Sequence, residues 1–148
     1  MKKNIDTTLN KLKSASKFKN DKDYHIFSEC IEELKKTRTI EVLHILFECL
    51  NDKDAGEIQY ELIEACEEYS DKIYVEEFIQ YSNLLRKNAR EWYIIMLQTI
   101  LNTASTKKVF LSVYNSLLDK DLKLALCNDV KKIAKEGDEY KNILGKMK

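Results

Sequence analysis

In 148 residues there is no proline, and only Gly56, Gly137 and Gly145 interrupt the chain with glycine. Proline removes a backbone donor and clashes with the preceding turn, and glycine loses the most conformational freedom on ordering. These two residues are the ones that most often stop a helix. A chain almost without them, and rich in Lys, Glu, Leu and Ile, is therefore predicted to be all-α. The apolar spacing agrees. Leu9 and Leu12 are followed by Phe27, Cys30, Ile31 and Leu34, by Leu43, Leu46, Phe47 and Leu50, and by Ile58, Leu62, Ala65, Cys66 and Tyr69. Steps of three and four continue through Val75, Phe78, Ile79, Ser82 and Leu85, then Val109, Val113 and Leu117, then Leu122, Leu126, Val130 and Ile133. Such steps draw one face of a helix.

Without proline or glycine punctuation, helix starts are expected where a short polar side chain can accept from the orphan amides of a first turn. The candidates are Asp6, Asp23, Thr39, Asp54, Asp71, Asn88, Ser105 and Asp121. They imply about eight helices joined by short links, hence antiparallel helical hairpins. Their spacing points to a HEAT- or armadillo-like α-solenoid, with an irregular bundle as the alternative. Residues 1–148 read as a single all-helical domain, in which 136–148 is expected to be a frayed tail or a short terminal helix. The run Trp92–Leu101, apolar apart from Gln98 and Thr99, is predicted to be the most buried helix.

Most chemistry is excluded by what is missing. No Glu-x-x-His pair offers a helical carboxylate metal site, and the isolated glycines cannot form a phosphate cradle. The two histidines, His25 and His44, stand in no catalytic motif and read as ordinary, partly buried helix residues. Cys30, Cys49, Cys66 and Cys127 lie far apart without a CxxC pair and read as small buried hydrophobes. No catalytic residue, no metal and no cofactor is expected. Nor does the start Met1-Lys2-Lys3-Asn4-Ile5-Asp6 lead into an apolar run, and no segment approaches the ~20 apolar residues of a membrane span. A cytoplasmic location, with neither membrane nor nucleic acid as partner, is the expectation.

Net charge is zero, with 25 Lys plus Arg against 25 Asp plus Glu, but the charge is unevenly spread. From Glu48 to Glu77 there are eleven acids against Lys53 and Lys72, a net of −9. Residues 1–22 carry +5 and residues 107–148 carry +4. In a helix starting after Asp54, with Ile58, Leu62, Ala65, Cys66 and Tyr69 inward, Glu57, Glu61, Glu64 and Glu68 form one stripe. Like charges at these spacings cost a few tenths of a kcal/mol per pair. Two readings are open: a solvated acidic face answered by lysines of a neighbouring helix, or a docking ridge for a basic partner.

Between Ile40 and Leu118 the chain resembles a known family. The residues that carry the resemblance are Leu62-Ile63-Glu64-Ala65-Cys66-Glu67-Glu68-Tyr69, then Tyr74-Val75, Glu91-Trp92 and Ile100-Leu101-Asn102. They are similar to the motifs of the immunity protein 30 family of bacterial polymorphic-toxin and contact-dependent growth inhibition systems. Glu67, Trp92 and Asn102 match motif positions, whereas Glu64 stands where histidine is usual and Thr99 where arginine is usual. The resemblance implies a cytoplasmic antitoxin without enzyme activity that binds the C-terminal domain of one cognate toxin. The acidic run fits a basic, nuclease-type toxin, for which carboxylates would mimic phosphates. The candidate partner-binding residues are Glu57, Glu61, Glu64, Glu67, Glu68 and Asp71, on a chain expected to be monomeric. Trp92 and Asn102 are read as structural, the indole as a core anchor and the amide as a helix C-terminal cap. The rivals are a helical-repeat adaptor with no toxin partner and, from another class, a metal-dependent helical hydrolase.

Overall fold

A computed structural model describes residues 2–53 and 55–148. Among the described residues the chain is entirely helical, without a strand, and forms ten helices. These are α1 (Lys2–Ala15), α2 (Asp21–Leu34), α3 (Ile40–Cys49), α4 (Gln59–Glu67), α5 (Asp71–Gln80), α6 (Ser82–Asn88), α7 (Arg90–Asn102), α8 (Ala104–Ser116), α9 (Lys120–Ala134) and α10 (Asp138–Lys146). The two helices beyond the expected eight are α6 and α10. The chain bends at Tyr81 between α5 and α6, and the buried Ser82 hydroxyl donates to the Ile79 carbonyl (2.7 Å) at that break. Nothing in the local composition announces it. No helix among the described residues is long and apolar enough to cross a membrane.

The helix starts explain which expected caps hold. Thr39 accepts from the Val42 amide (3.3 Å), as the sequence predicts. Asp23, Asp71 and Asp121 lie instead inside the first turns of α2, α5 and α9, where the helix dipole favours an acid. The true caps precede them: Asn20, Ser70 and Asp119 accept from Asp23, Ile73 and Leu122. Asp6 and Ser105 fall within α1 and α8, Asn88 ends α6, and Asp54 lies outside the described residues. At the end of α1 the stop is a phenylalanine. Phe18 takes a left-handed φ of 47°, held by the rings of Tyr24 and Phe27, each 5.0 Å away. That backbone conformation costs roughly 1–2 kcal/mol in an L-residue.

Sequence neighbours pack as hairpins, α1 on α2, α6 on α7, α7 on α8 and α9 on α10, while α3 and α4 continue the stack against α1 and α2. α5 lies against α8. One hydrophobic core runs through all of them, from Leu12 to Ile143. Two burial expectations need correction. α3 buries five of its ten residues and α4 five of nine, against five of thirteen in α7, so α7 is not the most buried helix. Within α7 the fully buried aromatic is Tyr93, and Trp92 is only half-buried against the core. Of the cysteines, Cys30, Cys49 and Cys66 are buried and Cys127 is partly exposed. Burial pushes the Cys49 thiol up to about 12. His25 is exposed rather than partly buried.

Among the described residues the core contains one charged cluster. Asp129 of α9, 3 % exposed, uses a single oxygen, Oδ2, to accept from Arg86 Nε (2.9 Å), Arg86 Nη2 (2.5 Å) and the Tyr93 hydroxyl (2.6 Å). Arg86 also lies over the Tyr93 ring, 5.0 Å from its centroid, and its Nη1 donates to Asn83 Oδ1 (2.6 Å). A buried carboxylate is tolerable only when paired and hydrogen-bonded, and three donors on one oxygen meet that demand. Burial, followed by the Asp129 contact, holds the Tyr93 phenol far above its ordinary range, so it stays a donor. Asp129→Ala should therefore cost about 3–5 kcal/mol in denaturant unfolding, because Arg86 is left without its carboxylate. The double replacement Arg86→Met with Asp129→Leu should recover most of that loss.

Candidate functional site

The acidic stripe survives folding in part. Glu57 precedes α4, Glu68 caps its C-terminus, and only Glu61, Glu64 and Glu67 lie on α4 itself, with Asp71 opening α5. The buried side of α4 is Gln59, Leu62, Ile63, Ala65 and Cys66, which leaves Glu64 and Glu67 exposed and Glu61 half-exposed. The end of α2 partly answers this charge. Arg38 pairs with Glu68 (3.4 Å), and Lys35, bonded to Glu32 (3.2 Å), also feels Glu68 and Glu64. Glu57, Glu61, Glu64, Glu67 and Asp71 have no ion-pair partner among the described residues. The lysines that neutralise the chain overall lie elsewhere.

Beside this row runs α7, and long-range polar contacts set its position. The Asp52 carboxylate, in the loop between α3 and α4, accepts from the amides of Arg90 (2.9 Å) and Glu91 (3.1 Å). It thereby caps α7 from 38 residues away. The loop that carries Asp52 is held by the buried Gln59, whose side chain accepts from the Asn51 amide (3.1 Å) and donates to the Lys53 carbonyl (3.3 Å). As a result Tyr60 at the start of α4 meets Trp92 at the start of α7, edge to face, with ring centroids 4.8 Å apart. Seven residues further along both helices, about 10.5 Å at 1.5 Å per residue, Glu67 and Thr99 line a common cleft. α4 and α7 thus present one continuous face, aromatic at one end and acidic at the other.

The cleft at the acidic end has a volume of about 160 Å³ and is lined by Glu67, Asp71, Tyr74, Thr99, Ile100, Thr103 and Thr106. The Thr99, Thr103 and Thr106 hydroxyls donate to the carbonyls of Ile95, Thr99 and Ile100 at 2.7–2.9 Å, so their lone pairs remain to accept. Tyr74 is 3 % exposed, and its buried hydroxyl has no hydrogen-bond partner. Partial desolvation, and after it the charge of Glu64, raises the Glu67 carboxyl above its ordinary value.

Sequence reasoning identified the acids of this face but not Tyr60, Tyr74, Thr99 or Thr103 as their companions. Nor does Asn102 act as a C-terminal cap: its side-chain amide donates to the Tyr140 hydroxyl (3.0 Å) and ties α7 to α10. Elsewhere, His44 Nε2 lies 2.6 Å from a Glu77 carboxylate oxygen, and its ring packs against Tyr81. This pair links α3 to α5. No group of three or more His, Cys, Asp or Glu placed to hold a metal ion lies among the described residues.

The family model described as Immunity protein 30 matches residues 14–110, well over half of the chain. That segment runs from the end of α1 into α8 and contains both walls of the cleft and the Tyr60–Trp92 pair. No curated protein and no solved structure matches the chain.

The raised carboxyl of Glu67 makes a signed prediction. A carboxyl raised on folding holds its proton better in the folded state. Its contribution to stability is complete below the ordinary value of 4.5 and is lost as pH rises through the raised one. Glu67→Gln should therefore melt slightly higher than the parent at neutral pH. The difference should vanish below about pH 4, where both side chains are neutral. Thermal melts of the two proteins across pH 3.5–8 check this, and an unchanged or lower melting temperature at neutral pH would remove the argument that the Glu67 charge is locally unfavourable.

Proposed function

The chain belongs to the immunity protein 30 family, and from that membership we propose that it is an immunity protein that binds and neutralises a cognate toxin domain through its α4–α7 face. The observation that carries this reading is the row Glu61, Glu64, Glu67 and Asp71, none of which has an ion-pair partner among the described residues, beside the Tyr60–Trp92 pair. Like charges three and four apart weaken a helix by a few tenths of a kcal/mol each. A partner with a basic surface would relieve them on docking. Aromatic side chains next to buried charge pairs are also the groups that contribute most to binding energy at protein interfaces.

The partner chemistry follows from the charge. A nuclease-type toxin carries a basic cleft for its phosphate backbone, and a row of carboxylates at helical spacing is an anionic surface of the same sign. The immunity protein acts by occupancy rather than catalysis, in the cytoplasm, as a monomer. The adaptor reading makes a different prediction: a partner captured without any loss of that partner's toxicity.

Co-expression with the product of the adjacent upstream gene should yield a co-purifying complex and protect the cells. Glu61→Lys with Glu64→Lys should slow association by about tenfold at low salt and weaken protection, with the helical spectrum and melting temperature held. The parent's association rate should fall steeply as ionic strength rises towards physiological, where the Debye length is ~8 Å. A parent and a variant that associate equally, with no salt dependence, would move the interface away from this face.

A further inference from the structure

We propose that the cleft between α4–α5 and α7–α8 is a socket for one arginine side chain of the toxin. The inference rests on the toxin-binding role proposed above and specifies where one residue of the partner goes.

The lining selects the ligand by its hydrogen-bonding sense. Glu67 and Asp71 are carboxylates, which accept only. Thr99, Thr103 and Thr106 have already given their hydroxyl protons to backbone carbonyls, so towards the cleft they too can only accept. The remaining polar group is the Tyr74 hydroxyl, buried and unpartnered. Leaving such a group unsatisfied is costly, and native structures seldom do so without a reason. A site of acceptors with two negative charges takes a cation that donates several hydrogen bonds.

Size and shape narrow the choice. At about 160 Å³ the cleft lies below the ~300–1,000 Å³ of pockets that enclose whole small molecules. That is room for the end of one side chain. The acceptors stand on opposite walls, Glu67 and Asp71 on one and Thr99 and Thr103 on the other. A guanidinium, with five donors in a fixed planar fork, reaches both walls at once, whereas an ammonium is a compact point charge. Tyr74, its ring packed with Phe47 and Phe78, lines the cleft between these walls. The charged and titratable groups around the cleft are Glu64, Glu67, Asp71 and Tyr74. Burial first, then Cys66 and Glu67, keeps the Tyr74 phenol protonated. A cation seated here would draw the Glu67 carboxyl back towards its ordinary value, so binding should weaken in mildly acidic solution.

The test begins on the free, full-length protein with methylguanidinium, the neutral near-isostere methylurea and n-propylammonium, followed by backbone amide shifts in NMR. Methylguanidinium should give saturable shifts confined to residues around Glu67, Asp71, Thr99 and Thr103, and methylurea should not. Glu67→Gln with Asp71→Asn should weaken it about tenfold, and Tyr74→Phe, which removes only the hydroxyl, severalfold. Equal shifts with methylurea, shifts spread over all surface acids, or n-propylammonium binding as tightly would each overturn the arginine assignment. The second arm uses the toxin complex, in which the double variant should dissociate at least tenfold faster. A double variant that neutralises the toxin as well as the parent overturns the socket and leaves the immunity role standing. Methylguanidinium seated in the cleft of a protein that neutralises no toxin overturns that role as the source of the cation.

Discussion

Tyr93 is the point on which the packing turns. Its hydroxyl and the Arg86 guanidinium converge on Asp129 Oδ2, joining α6 and α7 to α9, while its ring stacks on Phe78 of α5 with centroids 5.5 Å apart and planes 12° from parallel. The same side chain therefore sets the distance between α5 and α7, which are the opposite walls of the candidate socket. Remove Asp129 and the loss is more than one ion pair. Arg86 is left partly buried without its carboxylate, Tyr93 loses its acceptor, and the spacing of the two walls is no longer held. Because one partner of the pair is nearly sealed from water, its disruption costs far more than that of the exposed pairs on α2 and α10, each worth about 0–1 kcal/mol.

Against this satisfied interior stands a face that is not satisfied. The chain has as many cations as anions, yet among the described residues the carboxylates along α4 find an ion-pair partner only at the Glu68 end. Bringing Lys35 and Arg38 to one edge of α4 does not quench Glu61, Glu64 or Glu67. The docking of a basic partner proposed above would relieve their repulsion.

How much of this was legible beforehand differs from residue to residue. Thr39 was readable as a cap because a cap is a local event, made within three residues. Asp23, Asp71 and Asp121 were misread by one to three positions because an acid in the first turn and an acid at the cap respond to the same helix dipole. Trp92 reads as a core anchor because size and apolarity are visible in sequence, whereas the helical phase that sends Tyr93 rather than Trp92 fully inward depends on what packs there. The acids of the site were legible from their 3–4 spacing. Their companions Tyr74, Thr99 and Thr103 were not, since nothing near Glu67 in sequence indicates which helix lies across from it.

What the sequence determined alone was the class of the molecule: an all-helical chain, without punctuation for anything else, with an acidic centre between basic ends. Those properties depend on backbone geometry and charge within a few residues, so composition and spacing suffice to state them. Tertiary structure alone decided the pairings across long separations. Asp52 caps α7 from 38 residues away, Asp129 closes on Arg86 from 43, and Thr99 faces Glu67 across the cleft. Each of these requires two segments to be brought together at the cost of chain entropy, and that cost is met by burying the apolar core as a whole. A pairing set by the whole core leaves no mark on the residues near either partner, and so the socket becomes visible only once α4, α5, α7 and α8 are in place.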